Sequence, residues 1–181
     1  MTAMAAQANL ATFDNVVNGT DLTAYQEAGM WITVPNIAYT TFDPSHGHGG
    51  GFAGGFHYPN SGVNGATSIS MVNGSVMNSV SFTLGDGWGG PDTYFHYWAY
   101  MGANIVNSGS GTFFSGNTFS YNGSFDKFRI GAYAQGGEAN ATPDTFQAVA
   151  LDNVSTVVPE PTTMAILGLS ATALLRRRNR K

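Results

Sequence analysis

The chain has 181 residues, of which 24 are glycine and none is cysteine. This length suits one domain, and the lack of cysteine excludes a disulfide framework and any thiolate metal site. Five of the seven Lys and Arg residues lie at the C-terminal end, so residues 9–157 contain two cations against ten acids, a net charge of −8. A body this acidic is not expected to bind nucleic acid or anionic lipid by charge.

The first eight residues are small and mostly apolar, and we interpret residues 1–8 as the remnant of a secretory signal peptide. Ala6-Gln7-Ala8 matches the small-x-small pattern at which such peptides are cleaved, which places the cut before Asn9. The charged and apolar parts that normally precede this pattern are missing or short. We therefore expect the natural start to lie upstream of Met1.

Residues 9–154 are predicted to form an all-β, antiparallel sandwich that is jelly-roll-like, because short β-branched and aromatic runs alternate with turn signals. Asn-Gly, the strongest short hairpin signal, occurs four times in this region. Strands are predicted at residues 10–17, 31–38, 51–58, 66–72, 75–84, 93–101, 127–133 and 145–154, with shorter pieces near 111–114 and 118–121. Residues 22–28 are the one weak helix candidate.

The clearest hairpin joins residues 66–72 to residues 75–84 through Asn73-Gly74. Apolar and polar side chains alternate along its second arm, which is the pattern of a strand with one buried face. The predicted buried side chains are Val76, Val80, Phe82 and Leu84.

The strand predicted at residues 93–101 is a strongly aromatic stretch and the first candidate binding surface. One of its faces carries Tyr94, His96, Trp98 and Tyr100, and the loop before it adds Trp88. Sugar rings stack on aromatic side chains through their apolar C–H faces, so these residues could form a flat glycan platform. The alternative is that both faces of the strand are buried, one of them beneath a loop, because aromatic side chains dominate β-sheet cores.

A near-repeat at the two ends of the body is a candidate calcium site. Asp14 and Asp152 are each followed by asparagine, and the terminal strands of a sandwich often pair. Carboxylate and amide oxygens are the ligands that Ca²⁺ prefers, so one structural Ca²⁺ is a hypothesis for this pair. Two turns capped by these side chains are the favoured interpretation.

The remaining candidates for chemistry are weaker. Imidazole suits Zn²⁺ and Cu²⁺, but a solvated polar loop is the favoured interpretation of a histidine group made of His46, His48 and His57 with Asp43. No H-E-x-x-H or G-x-S-x-G motif occurs in the sequence. Glycoside hydrolysis needs two carboxylates at a defined separation, and nothing singles out a pair among Glu27, Asp86, Asp92, Glu138 and Asp144. We therefore predict that the protein is not an enzyme.

The C-terminal end has three parts in a fixed order, after a predicted linker at residues 155–158. First comes a rigid, extended Pro159-Glu160-Pro161, and an uncharged apolar run follows at residues 162–175. The chain then closes on a basic cluster that contains Arg176, Arg177 and Arg178. The apolar run is predicted to be helical in lipid, with the cations on the cytoplasmic side. It is shorter than the roughly 20 residues that span a bilayer, which favours transient insertion into the inner membrane.

This order resembles the PEP-CTERM sorting signal of Gram-negative bacteria that make exopolysaccharide. The resemblance implies a sorting signal at residues 159–181, recognition by an exosortase, removal of the tail, and delivery to the cell envelope or the extracellular matrix. The body is similar, more diffusely, to the lectin-like sandwiches that commonly precede this signal. That similarity rests on Phe13-Asp14-Asn15, residues 80–84, residues 125–130 and residues 150–154.

Together these features predict an exported, non-enzymatic envelope or matrix protein that associates with exopolysaccharide. One alternative is a carbohydrate-binding module that uses the aromatic platform. A second alternative is a glycan-active enzyme.

Overall fold

The computed structural model describes residues 6–14, 21–22, 24–34, 39–42, 56–59, 65–85, 93–112, 117–134, 142–144 and 149–159. Every regular element in these ranges is a β-strand. This confirms the all-β prediction, whereas the predicted C-terminal helix lies outside the described residues. None of the described residues belongs to a helix long and apolar enough to cross a membrane.

The strands are numbered in chain order. They are β1 Ala6–Ala11, β2 Asp21–Leu22, β3 Ala24–Glu27, β4 Met30–Thr33, β5 Tyr39–Phe42, β6 Phe56–Pro59, β7 Thr67–Met71, β8 Met77–Gly85, β9 Thr93–Met101, β10 Asn104–Thr112, β11 Asn117–Phe125, β12 Lys127–Ala134 and β13 Ala150–Pro159.

These strands form two antiparallel sheets, as the sandwich prediction requires. The first sheet has the order β11-β8-β13-β6-β5-β2, and β1 pairs with the part of β13 that extends beyond β6. The second sheet has the order β10-β9-β12-β7-β4-β3. The first and last described strands of the chain are therefore neighbours, as the sequence analysis expected of terminal strands.

The main core contains buried side chains from both sheets, and it is rich in phenylalanine. Phe82 of the first sheet lies 6.1 Å, centroid to centroid, from Phe128 of the second. Phe119 stacks on Phe82 at 5.2 Å and meets Phe95 edge-on at 5.3 Å. Aromatic pairs at these separations add stabilisation beyond the burial of their area. The two sheets are thus joined by ring contacts near the β10 and β11 edges.

Residues 22–28, the weak helix candidate, are not helical where the structure describes them. Ala24–Glu27 forms β3, which pairs with β4. Tyr25 is buried between the more exposed Ala24 and Gln26, which is the two-residue period of a strand. Tertiary pairing decides the structure of so short a segment, because an isolated helical turn is unstable in water.

Two further expectations differ in detail from the structure. In β8 the buried residue at the start of the strand is Met77, whereas Val76 precedes the strand and is half-buried. The pairing with β11 is irregular at this point, since β11 has an extra residue between the partners of Ser79 and Met77. Val80, Phe82 and Leu84 are buried as predicted. Residues 155–158, assigned to a linker, continue β13, and residues 6–8, assigned to a signal remnant, belong to β1.

Candidate functional site

The outward side of the second sheet carries the residues predicted to form the platform. On β9, Tyr94, His96, Trp98 and Tyr100 share this side, since alternate side chains of a strand point to the same face. Phe95, Tyr97 and Ala99 point inward and pack with the main core. Trp88, the fifth predicted member, lies outside the described residues. We call this surface the outer face of the second sheet.

Burial divides the four described platform residues into two pairs. Trp98 and Tyr100 are only 4% and 8% exposed, whereas Tyr94 and His96 are half-buried. Trp98 and Tyr100 form a second small hydrophobic cluster with Ala66 and Tyr133, and Tyr94 packs against it. The part of the predicted platform made of Trp98 and Tyr100 is therefore covered, and Tyr94 and His96 are its accessible part.

The segment at residues 142–144 is bonded to this outer face. Its Pro143 carbonyl oxygen accepts hydrogen bonds from the backbone N–H of Ala66, at 2.8 Å, and from Nη2 of Arg129, at 2.9 Å. The same Nη2 forms an ion pair with Asp144 at 3.0 Å. Arg129 sits opposite Trp98 in the sheet register. Arg129 of β12, the register partner of Trp98, thus holds residues 142–144 against the outer face.

Cationic and polar side chains extend the outer face across the neighbouring strands. Lys127 lies over the Tyr100 ring, with its Nζ 4.5 Å from the ring centroid, a cation–π contact. Ser70 of β7 is opposite Lys127, and Trp31 of β4, which is 36% exposed, is opposite Ser70. One row across the sheet therefore combines Tyr100, Lys127, Ser70 and Trp31.

Sequence reasoning missed the contribution of β12 to this face. Lys127, Arg129 and Tyr133 all point outward, in register with Tyr100, Trp98 and Tyr94 respectively. Tyr133 stacks on Tyr94 with 5.5 Å between the ring centroids. The sequence does contain a pattern that indicates this orientation, because Lys127 and Arg129 alternate with the buried Phe128 and Ile130. Only the pairing of β9 with β12 shows that the outward side chains of these two strands lie side by side.

His96 is the titratable group at the accessible end of the outer face. Its ring lies 4.4 Å from that of Trp98, centroid to centroid. Partial burial lowers its pKa from the usual value of 6.5, because desolvation disfavours the charged imidazolium. A neutral imidazole can both donate and accept a hydrogen bond, which suits recognition of hydroxyl groups.

The two proposed calcium ligands lie in different surroundings. Asp152 is fully buried, and its Oδ1 accepts a hydrogen bond from the N–H of Asn153 at 2.7 Å. Asp14 is exposed. The described residues contain no cluster of three or more His, Asp or Glu side chains. The bond from Asn153 joins a side chain to the backbone, but both residues lie within β13 and not in a turn. The calcium site and the capped turns both stay predictions.

Other predicted groups fall wholly or partly outside the described residues. His46, His48 and Asp43 lie outside them, and only the backbone of His57, in β6, is described. Of the scattered acids, Asp86, Asp92 and Glu138 are also outside. Glu27 accepts hydrogen bonds from two backbone N–H groups and the Tyr25 hydroxyl, and Asp144 pairs with Arg129.

A groove of about 610 Å³ lies where β1 and the end of β13 meet two turns of the second sheet. Its lining includes Leu10 and Val158 from the terminal strands and Val72 from the turn after β7. Leu10 and Val72 are 50% and 41% exposed. This groove was not anticipated from sequence, because its walls come from four separate parts of the chain.

The end of β13 leads directly into the predicted sorting signal. β13 runs to Pro159, and the described residues end there, so Glu160, Pro161, Arg176, Arg177 and Arg178 are not described. No linker separates the sheet from Pro159.

Comparison with known proteins bears on this end of the chain. Residues 157–181 match the family model of the PEP-CTERM protein-sorting motif. A comparison with curated proteins finds no match for the chain. PEP-CTERM signals mark bacterial proteins that are exported and sorted to the cell envelope or outer surface, and they imply processing by an exosortase. The chain thus carries a PEP-CTERM protein-sorting motif at residues 157–181, preceded by two antiparallel β-sheets.

Proposed function

We propose that the protein is a non-enzymatic component of the outer surface or extracellular matrix of a Gram-negative bacterium, associated with exopolysaccharide. The sorting motif supports delivery to that location. The acidic body supports a neutral polymer or divalent cations as partners in preference to nucleic acid, because like charges repel. The structural roles of Glu27 and Asp144 are consistent with a protein that performs no hydrolysis.

A second candidate function is that of a dedicated carbohydrate-binding module, and the outer face of the second sheet favours it. Tyr94 and His96 offer half-buried rings beside the stacked Tyr133. Farther along the same face, the row of Tyr100 supplies a cation, a hydroxyl group and the exposed ring of Trp31. Such a mixture of aromatic and hydrogen-bonding groups suits the alternating apolar and hydroxyl surfaces of a sugar chain.

A binding measurement against the producer's own exopolysaccharide tests both candidates. A double variant, Tyr94→Ala with His96→Ala, removes the accessible rings and is expected to weaken binding at least tenfold if the outer face is the site. Val106→Ser is the matched control, because Val106 is 50% exposed on β10, outside this aromatic cluster. Trp98 is unsuitable for this purpose, since truncating so buried a ring would destabilise the fold.

The outcomes separate the candidates. Binding that the double variant abolishes supports the module, and binding that it leaves unchanged supports association through another surface. An unaltered polysaccharide after prolonged incubation is the expected result for either candidate. Release of shorter sugar products would contradict both of them and support the glycan-active enzyme.

A further inference from the structure

Each of the two sheets has one short edge strand and one long edge strand. The short ones are β2, with two residues including Asp21, and β3, with four residues including Glu27. The long ones are β10 and β11, which have nine residues each and contain neither a charged residue nor a proline. Proteins keep sheet edges from pairing with other chains by short length, charge and proline. By these criteria β2 and β3 are protected edges, and β10 and β11 are open ones.

The two long edge strands lie on the same side of the sandwich. The side chain of Asn107 in β10 is hydrogen-bonded to the hydroxyl of Tyr121 in β11. Tyr97, on the strand next to β10, contacts Phe119 and Tyr121 of β11, with 5.4 and 5.5 Å between the ring centroids. These contacts join the edges of the two sheets. We call the surface made by β10 and β11 the open edge.

Among the residues that the structure describes, each strand of the open edge has a neighbour on one side only. β10 pairs with β9 and β11 pairs with β8. Both ladders are regular over six residues, 107–112 in β10 and 117–122 in β11. Alternate N–H and C=O groups of an edge strand point away from its sheet. Seven of the nine residues of β10 are exposed, so this edge is accessible to another strand.

The open edge also lacks the charge that the rest of the body carries. Residues 97–125 contain no Asp, Glu, Lys, Arg or His, whereas residues 9–157 contain ten acids and two Lys or Arg. Two copies of an acidic protein repel each other through their like charges. The repulsion is smallest where neither surface carries an acid. The open edge is therefore a surface through which a second copy of this chain can approach.

We propose that the protein forms a two-fold symmetric dimer in which β10 of each copy pairs antiparallel with β10 of the other. The two-fold axis is normal to the second sheet and passes Gly109 or Ser110, in the middle of the regular part of β10. The same axis makes the two β11 edges face each other, because β10 and β11 lie on one side of the sandwich. Such a contact is self-complementary and closes on itself without growing into a fibre.

The size of the open edge is sufficient for a stable contact. β10 and β11 have nine residues each, so together they offer 18 residues from each copy. A typical specific interface uses roughly 20–30 residues a side. The dimer is independent of what the body binds, and it doubles the number of outer faces in one particle.

Sedimentation equilibrium of the purified full-length chain tests the association. We expect a monomer–dimer equilibrium with a dissociation constant in the micromolar range or below, which is the range that interfaces of this size give. A protein that stays monomeric at about 100 µM would overturn the proposal. Species that grow beyond the dimer as the concentration rises would also overturn it, because a two-fold contact closes.

Lysines on the exposed side of β10 test where the contact lies. The double variant Ser108→Lys with Ser110→Lys places like charges opposite each other across the new strand pair, which is destabilising. It also changes the net charge of the chain from −4 to −2, so general repulsion between copies falls. We expect the dissociation constant to rise at least tenfold, and less than twofold in the neutral control Ser108→Thr with Ser110→Thr. Association that the lysines leave unchanged or strengthen, including association through the apolar tail, would overturn the proposal.

Cysteine cross-linking tests the same contact and decides the matter if the lysine variant does not fold. The chain has no cysteine, so a single introduced cysteine can form a disulfide only with a second copy. An axis at residue 110 brings two copies of Ser110→Cys together, and an axis at residue 109 brings Ser108→Cys opposite Ser110→Cys in an equimolar mixture. We expect one of these samples to form a covalent dimer at least tenfold faster than Val72→Cys, whose position is 41% exposed and outside the open edge. Equal rates in all samples would overturn the proposal.

Discussion

Two glycines of β10 are required by the rings that lie over them. Gly109 and Gly111 pair directly with Tyr97 and Phe95 of β9. A Cβ atom added at Gly109 would lie 2.8 Å from the Tyr97 ring, and one at Gly111 would lie 2.8 Å from the Phe95 ring. Aromatic rings that cover a glycine of the neighbouring strand help to fix the register of that strand pair.

Gly109→Ala is therefore expected to destabilise the fold by about 1–3 kcal/mol, the usual cost of overpacking. Tyr97 stacks on Phe128 at 5.5 Å, so its ring cannot shift without disturbing the core. Ser108→Ala is the matched control, because Ser108 is exposed on the same strand. Thermal unfolding followed by circular dichroism measures the difference, and equal melting temperatures for the two variants would contradict this account.

Glu27 holds the chain where it leaves β1. Its Oε2 accepts hydrogen bonds from the backbone N–H groups of Thr12 and Phe13, both at 3.0 Å, and from the Tyr25 hydroxyl at 2.9 Å. Burial raises the pKa of Tyr25 and the hydrogen bond to Glu27 raises it further, so the phenol stays protonated and continues to donate. Phe13 is held at a φ of 59°, which is unfavourable for a bulky residue.

Glu27→Ala leaves these donors without their acceptor and is expected to lower the free energy of unfolding by roughly 2–3 kcal/mol. Gln26→Ala serves as its neighbour control, since Gln26 is exposed on the opposite side of β3, and should change stability by less than about 0.5 kcal/mol. Urea denaturation compares them. A Glu27→Ala variant as stable as Gln26→Ala would show that the carboxylate is not a structural cap.

At the scale of elements, the sequence predicts strands well where alternation is strong. The prediction at residues 93–101 has the same bounds as β9, and the prediction at residues 127–133 is one residue shorter than β12. It underestimates β10, predicted only near residues 111–114, because Gly, Ser and Asn are poor strand formers. The rings of Phe95 and Tyr97 stabilise β10 from the neighbouring strand, and such contacts are not visible in local sequence.

The accessible part of the candidate site was harder to predict than its strand. Alternation places Trp98 and Tyr100 outward, but it does not show that a segment near residue 143 is bonded to the same face. These rings are buried in a cluster with Ala66 and Tyr133, each more than 30 positions away, and such contacts leave no local signal. Sequence therefore predicts the composition of a face, and the tertiary structure determines which of its members are exposed.

His96 of β9, on the outer face, is expected to make the free energy of unfolding depend on pH. Folding lowers the pKa of His96 below 6.5. Between the folded-state pKa and 6.5, the unfolded chain therefore binds more protons than the folded chain. The free energy of unfolding should thus fall as pH is lowered through 6.5. The dependence levels off below the folded pKa. In His96→Gln this part of the slope should disappear, as measured by denaturant titrations from pH 5 to pH 8. An identical slope in both proteins would contradict the assignment.

At the scale of the whole molecule, the position of β13 connects folding to sorting. β13 lies between β8 on one side and β6 with β1 on the other, so it is an interior strand of the first sheet. Its buried residues include Leu151, Val154 and Thr156. The sorting motif begins within this strand, at residue 157. We therefore expect the fold to require the second half of this strand and to tolerate removal of the residues after Pro159.

Two truncations test this boundary. A chain that ends at Pro159 retains all of β13 and should melt within a few degrees of the full chain. A chain that ends at Val154 loses the residues that face Ser79, Val80 and Ser81 of β8 and most of the residues that face β1. It also removes the Thr156 hydroxyl, which is within 3.4 Å of the Met30 sulfur in the core. We expect this shorter chain to unfold or aggregate at 25 °C, measured by circular dichroism and size-exclusion chromatography. If it instead remained folded with an unchanged melting temperature, residues 155–158 would behave as the linker first predicted from sequence.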